Sequence, residues 1–156
     1  MSSDFADAFA TASVIGTDLS PMQPTWIPAN LKFEIDDATL PWTWPDSTFD
    51  FIHIRFLFGA IADWGAFFRQ AYRVSVPGGW VESVEADCEL RSDDGTIASH
   101  PAMAKWSQLF REAGIKTGRS CTLIADDVQR KSMEAAGFEN IKVHTFKVCT
   151  PYSTLK

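Results

Sequence analysis

Cysteine is scarce in this 156-residue chain: there are three, and Cys88, Cys121 and Cys149 lie far apart in the sequence. An odd number at wide spacing excludes a complete disulfide framework and does not match the close ligand spacing of a zinc site. We therefore expect three free thiols, no bound metal and a reducing, intracellular compartment, either cytoplasm or nucleus.

Positive charge is also scarce. The chain has 14 lysine and arginine residues against 20 aspartate and glutamate residues, a formal net charge of −6, and no basic cluster. This charge balance argues against electrostatic binding to nucleic acid or to an anionic membrane. The longest apolar runs fall far short of the roughly 20 residues that a membrane span needs. The composition thus predicts no direct nucleic-acid partner and no membrane partner.

What the chain does contain is ordinary for a globular protein. Hydrophobic residues make up 46% and charged residues 22% of the sequence, and there is no internal repeat or linker. A length of 156 residues is enough for a real core in one unit. We expect a single domain over residues 1–156.

Short apolar runs rich in β-branched or aromatic residues predict strands at residues 13–18, 31–35, 49–54 and 80–84, and an alternating run predicts another at 141–148. Helical periodicity appears at 5–12, 63–74, 99–113 and 126–136, with Asp63 as N-cap of the second helix and Gly137 ending the last. Prolines make 19–30 a loop, and Pro77-Gly78-Gly79 a turn. Strands alternating with helices predict an α/β fold with a doubly wound, mostly parallel sheet and helices on both faces.

Acidic residues follow two of the predicted strands. Asp18 ends the first, and Asp36-Asp37 follow the second. Open α/β sheets bind small molecules in the crevice beyond the carboxyl ends of their strands. We interpret the stretch from Phe33 to Phe58, in which Asp36-Asp37 follow the first strand, as half of a nucleoside-binding crevice.

Three strings in the sequence, VIGTDLSP, FEIDDATLPWTWPDSTFDFIHIRF and RQAYRVSVPGGWVES, resemble successive motifs of class I S-adenosylmethionine-dependent methyltransferases. The sequence is most similar to the fungal LaeA-like group, which is associated with secondary metabolism. The resemblance covers most of residues 4–148, and the WTWP, FGAIADW and PGGWVE strings carry it more specifically than any general dinucleotide-binding signature.

The resemblance implies a cofactor, S-adenosyl-L-methionine, and residues that bind it. Asp18 would accept hydrogen bonds from the two ribose hydroxyls, and Leu19 would pack on the adenine. Asp37 would accept from the adenine amino group while the backbone N–H of Ala38 meets a ring nitrogen; Asp36 competes with Asp37 for this role. The alternative for Asp18 is a cap on the turn before Pro21.

The fourth family strand would end near the methyl donor. Arg55 is the candidate for a charge near the methionine carboxylate. His53 is either a general base or a hydrogen-bonded interior or edge histidine. Aromatic side chains at Phe56, Phe58 and Trp64 would enclose the sulfonium by cation-π contacts or pack in the core. Acidic and thiol groups near the mouth are weaker candidates, with a solvated rim as the alternative: Glu82, Glu85, Asp87 and Cys88.

The implied reaction is direct displacement at the sulfonium methyl by an unidentified small-molecule or protein acceptor, which depends chiefly on positioning. We therefore expect no dedicated catalytic residue. An oxidoreductase is a third interpretation, disfavoured because its glycine fingerprint is not found either.

The sequence departs from the family pattern at its amino end. The glycine-rich loop of such folds precedes the ribose-binding acid by roughly 20 residues, yet the first glycine here is Gly16. We expect a methyltransferase-like chain truncated at both ends, lacking the first strand and that loop. The alternative function is a catalytically inactive module that binds a protein partner through exposed sheet edges.

Overall fold

The computed structural model describes residues 2–21 and 24–148. Its elements, in chain order, are α1 (Ser2–Ala8), β1 (Val14–Asp18), β2 (Leu31–Ile35), β3 (Phe49–Arg55), α2 (Trp64–Val74), β4 (Ser75–Val84), a short 3-10 helix (Thr96–Ser99), α3 (Pro101–Thr117) and α4 (Val128–Ala136). No helix in this described part is long and apolar enough to cross a membrane.

All four strands are parallel to their partners, which confirms the predicted α/β class with a Rossmann-like arrangement. They form two separate two-stranded sheets, β1 with β2 and β3 with β4; we expected one sheet that lacks the family's first strand, which would lie between the strands that end at Asp18 and Arg55. In the first pair Val14 lies opposite Leu31 and Asp18 opposite Ile35.

Helix α2 is built as its sequence predicts. The side chain of Asp63 accepts a hydrogen bond from the backbone N–H of Ala66 at 2.8 Å, which satisfies an otherwise unpaired donor of the first turn. Its apolar residues recur at helical spacing and are all buried: Trp64, Phe67, Phe68, Ala71 and Val74. This amphipathic face is what holds the helix on the core.

The core lies between α2, α4 and one face of β3 and β4. Ile54 of β3, Phe68 of α2, Met133 of α4 and Leu123 belong to one buried cluster, and Val81 of β4 packs against it. Because side chains alternate along a strand, Phe51 points to the other face of β3. There its ring stacks on Phe5 of α1, with centroids 5.8 Å apart, so helices contact both faces.

The glycines before Trp80 do not form a turn outside the strand. Strand β4 begins at Ser75, and the register with β3 shifts between Phe49 opposite Ser75 and Phe51 opposite Trp80. A Cβ at Gly79 would lie 2.9 Å from the carbonyl oxygen of Val76, too close for any other residue. The prediction of a turn followed by a strand is therefore corrected to one long strand with a bulge-like irregularity.

The predicted last strand is wrong. Residues 141–148 have no regular secondary structure, and Val143, Phe146 and Val148 are 67%, 83% and 86% exposed. Alternation records which side chains share a face, but a strand also needs a neighbour for its backbone groups, and no ladder forms with this segment in the described chain.

Three helix boundaries also differ from the predictions. Helix α1 ends at Ala8, and α3 runs from Pro101 to Thr117, where Gly118 at φ 67° provides a left-handed cap. Helix α4 begins at Val128, two residues after the predicted start.

Candidate functional site

The carboxyl ends of β1 and β2 bring the predicted acidic residues together. Asp18 lies opposite Ile35 in the parallel register, and the N–H of Asp36 donates to the carbonyl of Asp18 at 3.1 Å. Asp37 follows directly. The structure therefore places Asp18, Asp36 and Asp37 on one edge, as the sequence predicts.

Asp18 forms a turn and keeps acceptor capacity. One of its carboxylate oxygens accepts the N–H of Ser20 at 2.9 Å, which agrees with the turn-capping alternative. A carboxylate has about four acceptor positions, so this bond leaves room for others. Leu19, beside it, is 66% exposed, and its side chain is open to an incoming planar group.

Asp37 is held by its own loop. Its Oδ1 accepts both the hydroxyl of Thr39 at 2.7 Å and the N–H of Thr39 at 2.9 Å. These bonds, the hydroxyl bond first, lower the pKa of Asp37 below its ordinary value, and the charge of Arg119 adds to the effect. Asp36 accepts the N–H of Asp37 at 2.8 Å. The two adjacent carboxylates thus have different partners: Asp36 accepts the N–H of Asp37, and Asp37 accepts the N–H and hydroxyl of Thr39.

The loop after these acids is fastened to α2. The carbonyl of Ala38 accepts the indole N–H of Trp42 at 3.0 Å. Gln70 of α2 accepts the N–H of Trp42 at 2.6 Å and donates to the carbonyl of Leu40 at 3.0 Å. Arg73 donates to the carbonyls of Trp42 and Trp44. The WTWP string therefore serves to join the β2 edge to the main core.

At the end of β3, Arg55 lies over the ring of Phe56, with the guanidinium carbon 4.5 Å from the ring centroid. Phe56 is 52% exposed. In contrast, Trp64 is buried in the core, and Phe58 packs against both the core and Phe110. Of these three aromatic candidates, Trp64 and Phe58 serve packing, and only Phe56 is open to a ligand.

His53 is paired across the sheet. Its Nδ1 lies 2.6 Å from a carboxylate oxygen of Glu82, the residue opposite it on β4. A cross-strand pair of this kind stabilises the sheet. The geometry agrees with the hydrogen-bonded edge histidine, and it gives Glu82 a structural partner as well.

Glu85, which the sequence ranked only as a rim residue, is tied to the end of β3. Its two carboxylate oxygens accept the N–H groups of Leu57 and Phe58 at 2.8 and 3.0 Å. Burial raises the pKa of Glu85, and these two bonds oppose the shift. No local signal could have found this contact, because 27 and 28 residues separate the partners.

The carboxyl edges of both strand pairs meet near residues 119–120. The N–H of Gly59, just after β3, donates to the carbonyl of Ser120 at 3.0 Å, and Arg119 acts electrostatically on Asp37, just after β2. Arg119 is a charged residue of this edge that the sequence did not single out. The segments that follow β2 and β3 are therefore both linked to residues 119–120.

The two cysteines that the structure describes are free thiols, Cys88 half-buried and Cys121 buried. Burial raises the pKa of Cys88 to about 11, so its thiol is protonated at neutral pH and weakly nucleophilic. Cys121 is buried, and Cys149 lies outside the described residues. No group of three or more histidine, cysteine or acidic side chains in residues 2–21 and 24–148 is arranged to hold a metal ion.

Comparison with known protein families matches most of the sequence. A family model described as "Methyltransferase domain" matches residues 2–143. The chain belongs to this methyltransferase-domain family. This family agrees with the resemblance that the sequence motifs indicated.

Among curated proteins, the chain is 38% identical over 139 residues to "Methyltransferase pytC" of Aspergillus terreus, covering 89% of this chain and 42% of that protein. It is 36% identical over 154 residues to "Secondary metabolism regulator LAE1" of Cochliobolus heterostrophus, covering 97% of this chain and 48% of the relative. A match to "Secondary metabolism regulator laeA" of Aspergillus niger has 34% identity and covers 88% and 36%. The chain therefore spans less than half the length of these relatives.

Proposed function

We propose that this chain binds S-adenosylmethionine at the carboxyl edge of its strands and serves methyl transfer to a small-molecule or protein acceptor in secondary metabolism. The observation that carries the proposal is the placement of Asp18 and Asp37 at the ends of two adjacent parallel strands. The names of the relatives, a methyltransferase and regulators of secondary metabolism, support the reaction and its setting.

The residues at this edge fit the adenosine part of such a cofactor. Asp18 has unused acceptor positions for a pair of neighbouring hydroxyls, and charged acceptors strengthen such bonds. The Oδ2 of Asp37 and the N–H of Ala38 take part in no hydrogen bond within the described residues. An acceptor and a donor side by side match the amino group and ring nitrogen of adenine.

Fewer residues fit the methionine part of the cofactor. Arg55 brings a positive charge to the end of β3, where a carboxylate would be stabilised, and the neighbouring Phe56 ring is exposed. When bound, the cofactor supplies an activated methyl group. The chain's part is to hold that group in line with the acceptor, because positioning provides most of the acceleration in such a displacement.

Calorimetric titration with S-adenosylhomocysteine tests the site without a known acceptor. We expect Asp18→Ala and Asp37→Ala each to weaken binding by about 1 to 3 kcal/mol, or about 5- to 150-fold, the scale for a charge-assisted bond. Asp50→Ala is the matched control, since this exposed acid lies at the amino end of β3 and should bind as the parent does. Equal affinity for all three variants would contradict the site.

A second candidate function is a noncatalytic module that binds a protein through its sheet edges. The two separate strand pairs favour it, because each leaves an unpaired edge. A cooperatively folded chain that binds neither S-adenosylhomocysteine nor NAD, yet binds a partner strand, would favour this candidate over methyl transfer. Binding of NAD alone would instead favour an oxidoreductase.

A further inference from the structure

An open groove lies between α2 and the loop that follows β2. Its volume of about 420 Å³ is within the range of small-molecule sites. Four of its residues recur on α2 at spacings of three and four, so they form one stripe beside the buried face of the helix. The lining residues are Thr39, Pro41, Ala66, Arg69, Gln70 and Arg73.

Long polar side chains of α2 fix the loop wall of this groove. Gln70 accepts the N–H of Trp42 at 2.6 Å and donates to the carbonyl of Leu40 at 3.0 Å. Arg73 donates to the carbonyl of Trp42 at 3.0 Å. Because these bonds join the loop to the helix through extended side chains, the groove is formed before any ligand binds.

The groove has one cation whose charge is not compensated. The guanidinium of Arg69 is exposed and takes part in no hydrogen bond or ion pair within residues 2–21 and 24–148. Arg73, in contrast, pairs with Asp46 at 2.7 Å. A guanidinium carries five N–H donors in a planar fork that fits a carboxylate. Arg69 is therefore an available anion-binding group in a chain with a net charge of −6.

A second groove contains a comparable arginine in a different state. This groove lies along α3, has a volume of about 410 Å³ and includes Arg111 and Glu89 in its lining. The guanidinium of Arg111 pairs with a carboxylate oxygen of Glu89 at 3.3 Å. The two grooves are thus alike in size, but of the two arginines only Arg69 has no acidic partner in the described part of the chain.

Neighbouring acids limit the charge of a ligand in the groove at Arg69. Asp46 is bonded to Arg73, and Asp63 accepts the N–H of Ala66, a lining residue, at 2.8 Å. These carboxylates would repel a dianion such as phosphate more than a monoanion. The remaining lining favours an apolar body, because Pro41, Ala66 and the methylene stems of the two arginines form most of it.

From these observations, we propose that the groove binds a small monocarboxylate with an apolar body. The carboxylate pairs with the guanidinium of Arg69 through charge-assisted hydrogen bonds. The hydrocarbon part lies against Pro41 and Ala66.

The polar groups of the walls favour a small molecule over a peptide. The hydroxyl of Thr39 donates to Asp37 at 2.7 Å, and the amide of Gln70 is bonded to the loop through both its oxygen and its nitrogen. Few groups remain for the backbone of an extended peptide, which needs partners along its length. The residues that we assign to the cofactor are not among the lining residues, so this inference is independent of the proposed function.

An NMR titration of the whole chain with hexanoate tests the inference, with hexanamide as the matched uncharged probe. Hexanoate should shift the backbone amide signal of Thr39 and the side-chain amide signal of Gln70 in a saturable manner. It should bind at least about fivefold more tightly than hexanamide because of its charge. The signal of Ser107, in the second groove, should show no saturable shift. Raising the salt concentration from about 50 mM to about 500 mM should weaken the binding of hexanoate more than that of hexanamide.

Two arginine variants locate the charge that binds hexanoate. Arg69→Gln should weaken hexanoate binding by at least about fivefold and leave hexanamide binding unchanged, because glutamine keeps a polar side chain without the charge. Arg111→Gln is the matched control, since it removes an exposed arginine from the second groove, and it should bind both probes as the parent does. The comparison of the two probes in the parent chain depends on neither variant.

Three outcomes would overturn the inference. The first is no difference between hexanoate and hexanamide in the parent chain, whether both bind or neither does. The second is hexanoate binding that Arg69→Gln does not weaken, or that shifts the signal of Ser107 as much as that of Thr39, which would mean general adhesion of an amphipathic anion. The third is self-association of the chain, seen by sedimentation, that Arg69→Gln abolishes; a carboxylate of a second copy would then be the occupant.

Discussion

The two strand pairs of this molecule have the same hydrogen-bonding pattern and very different surroundings. The β3–β4 pair lies against α2 and α4, and Phe68, Ala71 and Val74 there are completely buried. The β1–β2 pair is covered by the seven-residue α1, with Ala6 and Leu31 as its buried apolar residues. Both strand pairs thus have parallel hydrogen bonding, but only the β3–β4 pair packs on a large buried core.

This difference indicates that the burial of apolar side chains, and not the backbone hydrogen bonds between strands, sets the local stability of this chain. Full burial of a large apolar side chain contributes about 1.5 to 3 kcal/mol, and the β3–β4 pair has several, whereas Leu31 is the one large buried side chain in the elements of the other pair. The candidate site spans both regions: Asp18 belongs to the weaker pair, and the loop at Trp42 is tied to α2. The site is therefore only as ordered as the β1–β2 pair.

The largest expected effect comes from breaking the stronger region. Phe68→Ala should destabilise the chain by about 3 to 5 kcal/mol, because it removes a fully buried ring from the centre of the core. Leu31→Ala, the matched change in the weaker pair, should cost about 2 kcal/mol, the low end of the range for a buried leucine, since the surroundings can collapse. Urea unfolding followed by tryptophan fluorescence measures the effect of Phe68→Ala, and amide hydrogen exchange in β1 and β2 measures the effect of Leu31→Ala.

Trp42 and Trp64 both pack with the main core, so tryptophan fluorescence reports on the unfolding of that region. Tyr72→Ala, at a half-exposed position of α2, is a surface control with a smaller expected loss. If Leu31→Ala proved as costly as Phe68→Ala, the two pairs would be one cooperative unit, and the contrast between them would be wrong.

The same contrast explains which structural features could be predicted from the sequence. Periodicity predicted α2 and its Asp63 cap because the signal is local and the helix buries one clear face. It placed β1, β2 and β3 to within a residue or so at their ends, and the strand-end position of Asp18, Asp36 and Asp37 followed from them. Cofactor binding by these acids stays a prediction.

What the sequence missed depends on partners far along the chain. Residues 141–148 have the alternation of a strand and form none, since no neighbouring ladder exists for them in the described chain. The contact of Glu85 with Leu57 and Phe58 and the placement of Arg119 near Asp37 are likewise products of packing, without a local pattern.

A smaller effect is expected from loosening α1 on the weaker pair. The side-chain amide of Asn30 donates to the carbonyls of Ala6, Phe9 and Ala12 at 3.0 to 3.1 Å, which holds the end of α1 against the start of β2. Asn30→Asp keeps the shape and replaces the donor by an acceptor facing three carbonyls. We expect a loss of about 1 to 3 kcal/mol, with faster amide exchange in α1 and β1.

The comparison predicts that this loss stays local. Amides of α2 and β4 should exchange as in the parent chain, because their stability comes from the other core. Asn140→Asp, at an exposed position after α4, is the matched control and should change neither region. Equal acceleration of exchange in α2 would refute the independence of the two pairs.

The smallest effect concerns the half-buried carboxyl of Glu85, which joins β4 to the loop after β3. Burial raises its folded-state pKa above the ordinary value of 4.5. A raised pKa means that the stabilising contribution is complete below about pH 4.5 and is lost as the pH rises through the folded-state pKa. In Glu85→Gln this titration is removed, so the variant should gain stability relative to the parent over that pH window. Solvent screening of a half-buried group keeps the change in the free energy of unfolding under about 1 kcal/mol.

Urea unfolding between about pH 4 and pH 8 measures the difference between Glu85→Gln and the parent, with Glu139→Gln, an exposed position, as the control. A relative gain that grows towards acidic pH instead would show that the two backbone bonds, and not burial, dominate the energetics of this carboxyl.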